Sequence, residues 1–173
     1  METFTYLKGF SENLQYQGQK QKSLDDLDEG LLDSPIVGII RGLNRLPHCF
    51  TLQSCYGHFV YEGQNNIHNL CALPAEEIQS AVEYRIAYLA LCLENSEPGR
   101  RLFEALNGMT HIDPDNIQFG CAEWFWNRQV NSYILQVEPA RFKSKDTALI
   151  NFKEALRVES VRNALFIRLN EMF

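Results

Sequence analysis

Phe50-Thr51-Leu52-Gln53-Ser54-Cys55-Tyr56-Gly57-His58-Phe59 sets a thiol, an imidazole and a hydroxyl around one glycine. The runs His48 to Gln53 and Tyr56 to Tyr61 are rich in aromatic and β-branched residues, which favours two short strands meeting at a Ser-Cys corner. Gly57 has no Cβ, so the chain can turn tightly there or come close to a ligand. The stretch reads as strand, turn and strand, with a site-like loop at the turn.

Outward from it, the pattern becomes helical. Leu24, Leu27, Leu31 and Leu32 recur among Asp25, Asp26, Asp28 and Glu29, giving an amphipathic helix over 20–33. Ser34-Pro35 opens a second helix over 35–46, with Ile36, Ile39, Ile40 and Leu43 on one face, and Gly38 and Gly42 spaced for close approach of another backbone. Ile67 to Leu73 reads as a third strand. Pro74-Ala75-Glu76-Glu77 is a helix start, and the stripe Ile78, Val82, Ile86, Leu89 and Leu93 carries that helix to residue 94. A shorter helix spans 97–107. Ile117 to Trp126 and Ser132 to Val137 read as a hairpin, and helix follows over 146–172, with a change of apolar register near Val158 to Ser160 that predicts a kink. The fold expected is a single α/β domain of the α+β type over residues 1–173, a mainly antiparallel or mixed sheet of four to six strands flanked by helices.

Composition narrows the function classes. With 45% hydrophobic and 12% aromatic residues, the chain can build a packed core. No apolar run approaches the roughly 20 residues that span a bilayer, and Met1-Glu2 does not open a basic, apolar leader, so a cytoplasmic protein without a membrane segment is expected. Five cysteines without a spacing framework read as reduced thiols. A net charge of −6 speaks against the basic face that grips nucleic-acid phosphates. The basic residues Arg141, Lys143, Lys145, Lys153 and Arg157 are interleaved with Asp146 and Glu154 and read as a solvated helix face. Phosphate-cradling, dinucleotide and His-Glu-x-x-His motifs are absent.

Cys55 and His58 have the spacing of a metal-chelating half-site, which His48, Cys49, His68 or Cys71 could complete, but no regular second pair follows and no metal is assigned. A Cys-His nucleophilic pair lacks an identifiable orienting acid in the sequence. The bland alternative is a buried structural Cys55. Within Cys121-Ala122-Glu123-Trp124-Phe125-Trp126, strand geometry would put Glu123 among aromatics, where a raised pKa suits a general base or a ligand contact; solvent exposure is the competing reading. Glu138, before Pro139 at a strand end, is either a functional acid or a loop cap.

The run from Lys22 through Asp25, Asp26, Asp28, Asp33 and Asn44 to Thr51-Leu52-Gln53-Ser54-Cys55-Tyr56-Gly57-His58 resembles the N-terminal part of the third wybutosine-synthesis protein family, where an acidic helical stretch precedes a Thr-x-Ser-Ser-Cys-Ser-Gly-Arg strand-turn. Tyr133 to Pro139 is similar to that family's strand ending in Glu-Pro. The resemblance implies a mixed α/β fold and S-adenosylmethionine-dependent methyl transfer onto a modified guanosine of transfer RNA. Ser54, Cys55 and Gly57 match the motif, whereas His58 stands where the family has arginine and Gln53 where it has the first serine. A titratable imidazole is a weaker partner for a carboxylate or phosphate than a bidentate guanidinium.

The expectation is a ligand pocket with Cys55, His58 and Glu123 as catalytic groups and Ser54, Gly57 and Glu138 around a small molecule or nucleotide, S-adenosylmethionine being the implied cofactor. Two alternatives stand beside it. One is an interaction module with an apolar patch at Phe166, Ile167 and Phe173; the other is a Cys/His metal-binding protein.

Overall fold

The computed structural model describes residues 4–76, 78–142 and 146–173. Its elements are, in order, β1 (Phe4–Thr5), α1 (Tyr16–Asp25), α2 (Val37–Arg45), β2 (Cys49–Cys55), β3 (His58–Val60), β4 (Val82–Arg85), β5 (Ala87–Leu93), α3 (Glu97–Gly108), β6 (Ile117–Ala122), α4 (Glu123–Arg128), β7 (Ser132–Val137), β8 (Thr147–Ile150) and α5 (Phe152–Asn170). Among the described residues the strands form two antiparallel sheets, one ordered β1-β6-β7-β5-β2 and the other β3-β4-β8. This is the expected α+β class. One face of the larger sheet packs with α2, α3 and α5 into the main apolar core, which includes Ile39, Leu43, Leu91, Leu106, Leu135 and Leu165. Each such fully buried aliphatic side chain contributes about 1.5–3 kcal/mol.

Among the described residues the chain passes between the sheets three times, from β2 to β3, from β4 to β5 and from β7 to β8, and the first two passages lie at the same place. β2 ends in the larger sheet at Cys55 and β3 begins in the smaller one at His58, with Tyr56-Gly57 between them. β4 leaves the smaller sheet at Arg85, and after Ile86 the chain enters the larger one as β5. The two crossings lie against each other at Gly57, whose φ is +90°. A Cβ on it would stand 2.9 Å from Ala87 Cβ and 3.1 Å from Tyr84 Oη. The Tyr84 hydroxyl locks the junction, accepting from Ala87 N–H and donating to the Val137 carbonyl, both at 2.9 Å. Arg162 of α5, itself buried, donates to the Gly57 carbonyl at 2.9 Å and lies over the Tyr56 ring.

Several expectations need correction. Residues 82–85 and 87–93 are two strands, not the end of a 74–94 helix. In β5, Ala87, Leu89, Ala90, Leu91, Cys92 and Leu93 are buried, and a strand covered on both faces reads as a continuous apolar run in which a helical period can be found by chance; β4 alternates but is only four residues long. Glu77 lies outside the described residues, as do Lys143 and Lys145 of the basic cluster. Ile67 to Leu73 is irregular rather than a strand. The hairpin of β6 and β7 is present, but its connection contains α4, so Glu123 to Trp126 are helical. Leu149 belongs to β8, which removes the register change that implied a kink; α5 is continuous, burying Phe152, Ala155, Val158, Val161, Leu165 and Leu169. Phe166 is in the core, and Phe173 packs onto Gly42, so the expected patch on α5 is not one surface.

Candidate functional site

A β-bulge positions the site. Thr51 pairs with Leu91 and Gln53 with Ala90, so Leu52 is an extra residue in β2. Strict alternation would leave Cys55 on the same face as Cys49 and Thr51. The bulge reverses the facing of the strand beyond it, as bulges beside functional sites commonly do. Cys55 then aligns with Tyr88, Gln136 and Gln118 in one row across β2, β5, β7 and β6. That face, away from the main core, meets the smaller sheet in a crease enclosing a cavity of about 360 Å³. Its walls come from Gln53, Cys55, His58, Ile67, His68, Arg85, Ile86, Tyr88, Ile134, Gln136, Asp146 and Thr147.

At one corner of the cavity, Cys55 and His58 meet Asp33, and the donor atoms of the three lie within 4.8 Å of one another. Asp33 precedes the 3-10 turn Ser34–Ile36 that leads into α2, a turn favoured by Pro35 with its preset φ. Its carboxylate reaches across to the strand-turn, where Oδ2 accepts from Tyr56 N–H at 2.8 Å and stands 3.3 Å from His58 Nε2. His58 Nδ1 faces the Asn69 carbonyl at 3.1 Å, and Gly57 N–H donates to Cys55 Sγ at 3.4 Å. The His68 ring meets His58 edge-on, with centroids 6.0 Å apart.

Hydrogen bonding to Asp33, then to Cys55, outweighs burial and lifts the His58 pKa to about 10. Burial opposes ionisation of Asp33, but hydrogen bonds from His58 and Tyr56 N–H, together with Cys55, hold its carboxyl below the usual range. With acceptors facing both ring nitrogens, His58 is a charged donor on either side and has no free lone pair with which to deprotonate a thiol. The arrangement therefore differs from a relay triad, in which the acid and the nucleophile occupy opposite nitrogens. Burial pushes the thiols of Cys49, Cys92 and Cys121 up, which makes them inert.

The expected residues separate into three groups. Cys55 and His58 share the cavity, and Gly57 shapes the turn between them. Ser54, across from Leu89, points to the other side of β2 and lines a different depression with Asp26, Asp28 and Leu31. Glu138 is buried behind the wall, its Oε2 accepting from Gln136 Nε2 at 3.4 Å. Glu123 is exposed in the first turn of α4 and is not among the cavity residues, because helix replaces the strand alternation that would have set it among aromatics. Asp33 was legible only as part of an acidic helix, and nothing local in its surroundings signalled a reach to His58. Arg85, Tyr88 and Asp146 were missed because they lie on strands or strand edges read as helix. No model of a known protein family matches the chain, and no curated protein matches it.

Proposed function

We propose that the crease cavity binds a nucleoside-sized zwitterion of the S-adenosylmethionine type, and that the protein is a methyltransferase related to the third wybutosine-synthesis family. The observation carrying this reading is the convergence of the motif residues Cys55 and His58 with a cation, a carboxylate and an aromatic ring on one cavity. Its volume lies within the roughly 300–1,000 Å³ of small-molecule sites. Arg85, paired through Nε with Glu83 at 3.1 Å, offers the rest of its fork to a ligand carboxylate. Asp146 suits an ammonium or a ribose diol, and Tyr88 with Ile134 forms a flat wall for a base. The net charge of −6 favours a small-molecule acceptor over a polyanion.

Isothermal titration calorimetry with S-adenosylmethionine and S-adenosylhomocysteine tests it. Wild-type protein should bind both saturably, and Arg85→Ala should weaken each by roughly tenfold, about 1.4 kcal/mol. Absence of saturable heat with either compound overturns the reading.

A further inference from the structure

We infer that Asp33, Cys55 and His58 form a three-ligand site for a zinc-class divalent cation, with the fourth coordination position facing the cavity. The inference rests on the proposed cavity only for what faces that position. A carboxylate oxygen, a thiolate sulfur and an imidazole nitrogen are each established zinc donors, and three protein ligands with one open position is the arrangement of catalytic rather than structural zinc. Bonds of about 2.0–2.3 Å make the edges of a tetrahedral site roughly 3.3–3.8 Å. The Asp33 Oδ2 to His58 Nε2 separation of 3.3 Å already matches such an edge.

Each donor is also held by a backbone group. The Asn69 carbonyl takes the proton of Nδ1, which in a neutral ring leaves the Nε2 lone pair aimed at Oδ2. Tyr56 N–H holds the carboxylate and Gly57 N–H the sulfur, as the outer partners of a metal site do. These supports come from the strand-turn and from the segment after β3, so the corner is organised before any cation arrives. Exchange of one divalent cation for the Nε2 proton and the Cys55 thiol proton leaves the charge of the corner unchanged, both protons passing to solvent. No net charge is therefore buried by the exchange.

The test is cobalt(II) titration of chelator-stripped, full-length protein, followed by absorption. Wild type should take up one equivalent, showing the visible bands of four-coordinate cobalt and a near-ultraviolet sulfur-to-cobalt band, all abolished by added zinc. Cys55→Ser should lose the sulfur band, and Cys71→Ser, which changes an exposed thiol, should keep it. In wild type, zinc should also protect Cys55, but not Cys71, from iodoacetamide, so the outcome does not depend on the variant folding. Absence of saturable cobalt spectra, survival of the sulfur band in Cys55→Ser, or no protection of Cys55 overturns the site. Calorimetry with S-adenosylhomocysteine on the stripped protein separates the two readings. Binding of that compound without cobalt uptake defeats the cation alone; cobalt uptake without it defeats the ligand reading alone.

Discussion

Asp33 and His58 lie on opposite sides of α2 and β2 in the chain, yet their side chains meet at 3.3 Å, buried enough that only 19% of one and 5% of the other is exposed. The contact ties the entrance of α2 to the point where the chain crosses between sheets. Removing one partner of a buried pair leaves the other uncompensated, at a cost of about 3–5 kcal/mol when burial is complete. Because Asp33 retains some solvent, His58→Ala and Asp33→Ala should each destabilise by about 2–4 kcal/mol in urea unfolding. The double variant should cost less than the sum of the two.

The same pair sets a pH dependence in the metal-stripped protein. His58 rises from 6.5 to about 10 on folding, so its stabilisation is complete below pH 6.5 and is lost as pH rises through 10. Asp33 is lowered from 3.8, so its contribution is complete above that value and is lost as pH falls below it. The stability gap between wild type and His58→Ala should therefore be widest between about pH 4 and 6.5 and should narrow steadily towards pH 10. Denaturation curves at fixed ionic strength measure it, and a gap independent of pH contradicts the assignment.

Gly57 combines φ of +90° with a site for Cβ only 2.9 Å from that of Ala87. Gly57→Ala should cost about 2–4 kcal/mol, from left-handed backbone strain together with overpacking. Thermal unfolding checks the size. Since the substitution forces the two crossings apart, it should also weaken ligand binding in the cavity.

Arg162 is a buried cation held by the Gly57 carbonyl and by the Tyr56 and Phe59 rings, with centroids 4.2 and 5.2 Å away. Arg162→Met keeps the bulk and removes the donor, leaving a buried carbonyl unpaired. A loss of about 1–3 kcal/mol is expected from equilibrium unfolding.

Much of the fold was legible where local chemistry and tertiary context agree. β7 was read at its observed limits, and α3 within one residue, because Ser96 and Pro98 begin that helix and apolar periodicity carries it. β5 was misread because a strand buried on both faces loses the alternation that identifies half-buried strands, whereas β4 keeps it in Val82-Glu83-Tyr84-Arg85 but over only four residues. The Cys55 and His58 corner was legible as a motif, but its acid was not. Asp33 is selected by three-dimensional closure of α2 onto the strand-turn, and the bulge at Leu52 that turns Cys55 towards the cavity leaves no composition signal.

The central claim, that Cys55 and His58 open on a ligand cavity, is tested most directly by amide chemical-shift mapping of isotope-labelled protein titrated with S-adenosylhomocysteine. Saturable shifts should concentrate at Gln53, Cys55, His58, Tyr88 and Gln136, with the Ser54-side depression around Asp26 and Leu31 unaffected. No saturable shift, or shifts confined to residues outside the crease, would contradict it.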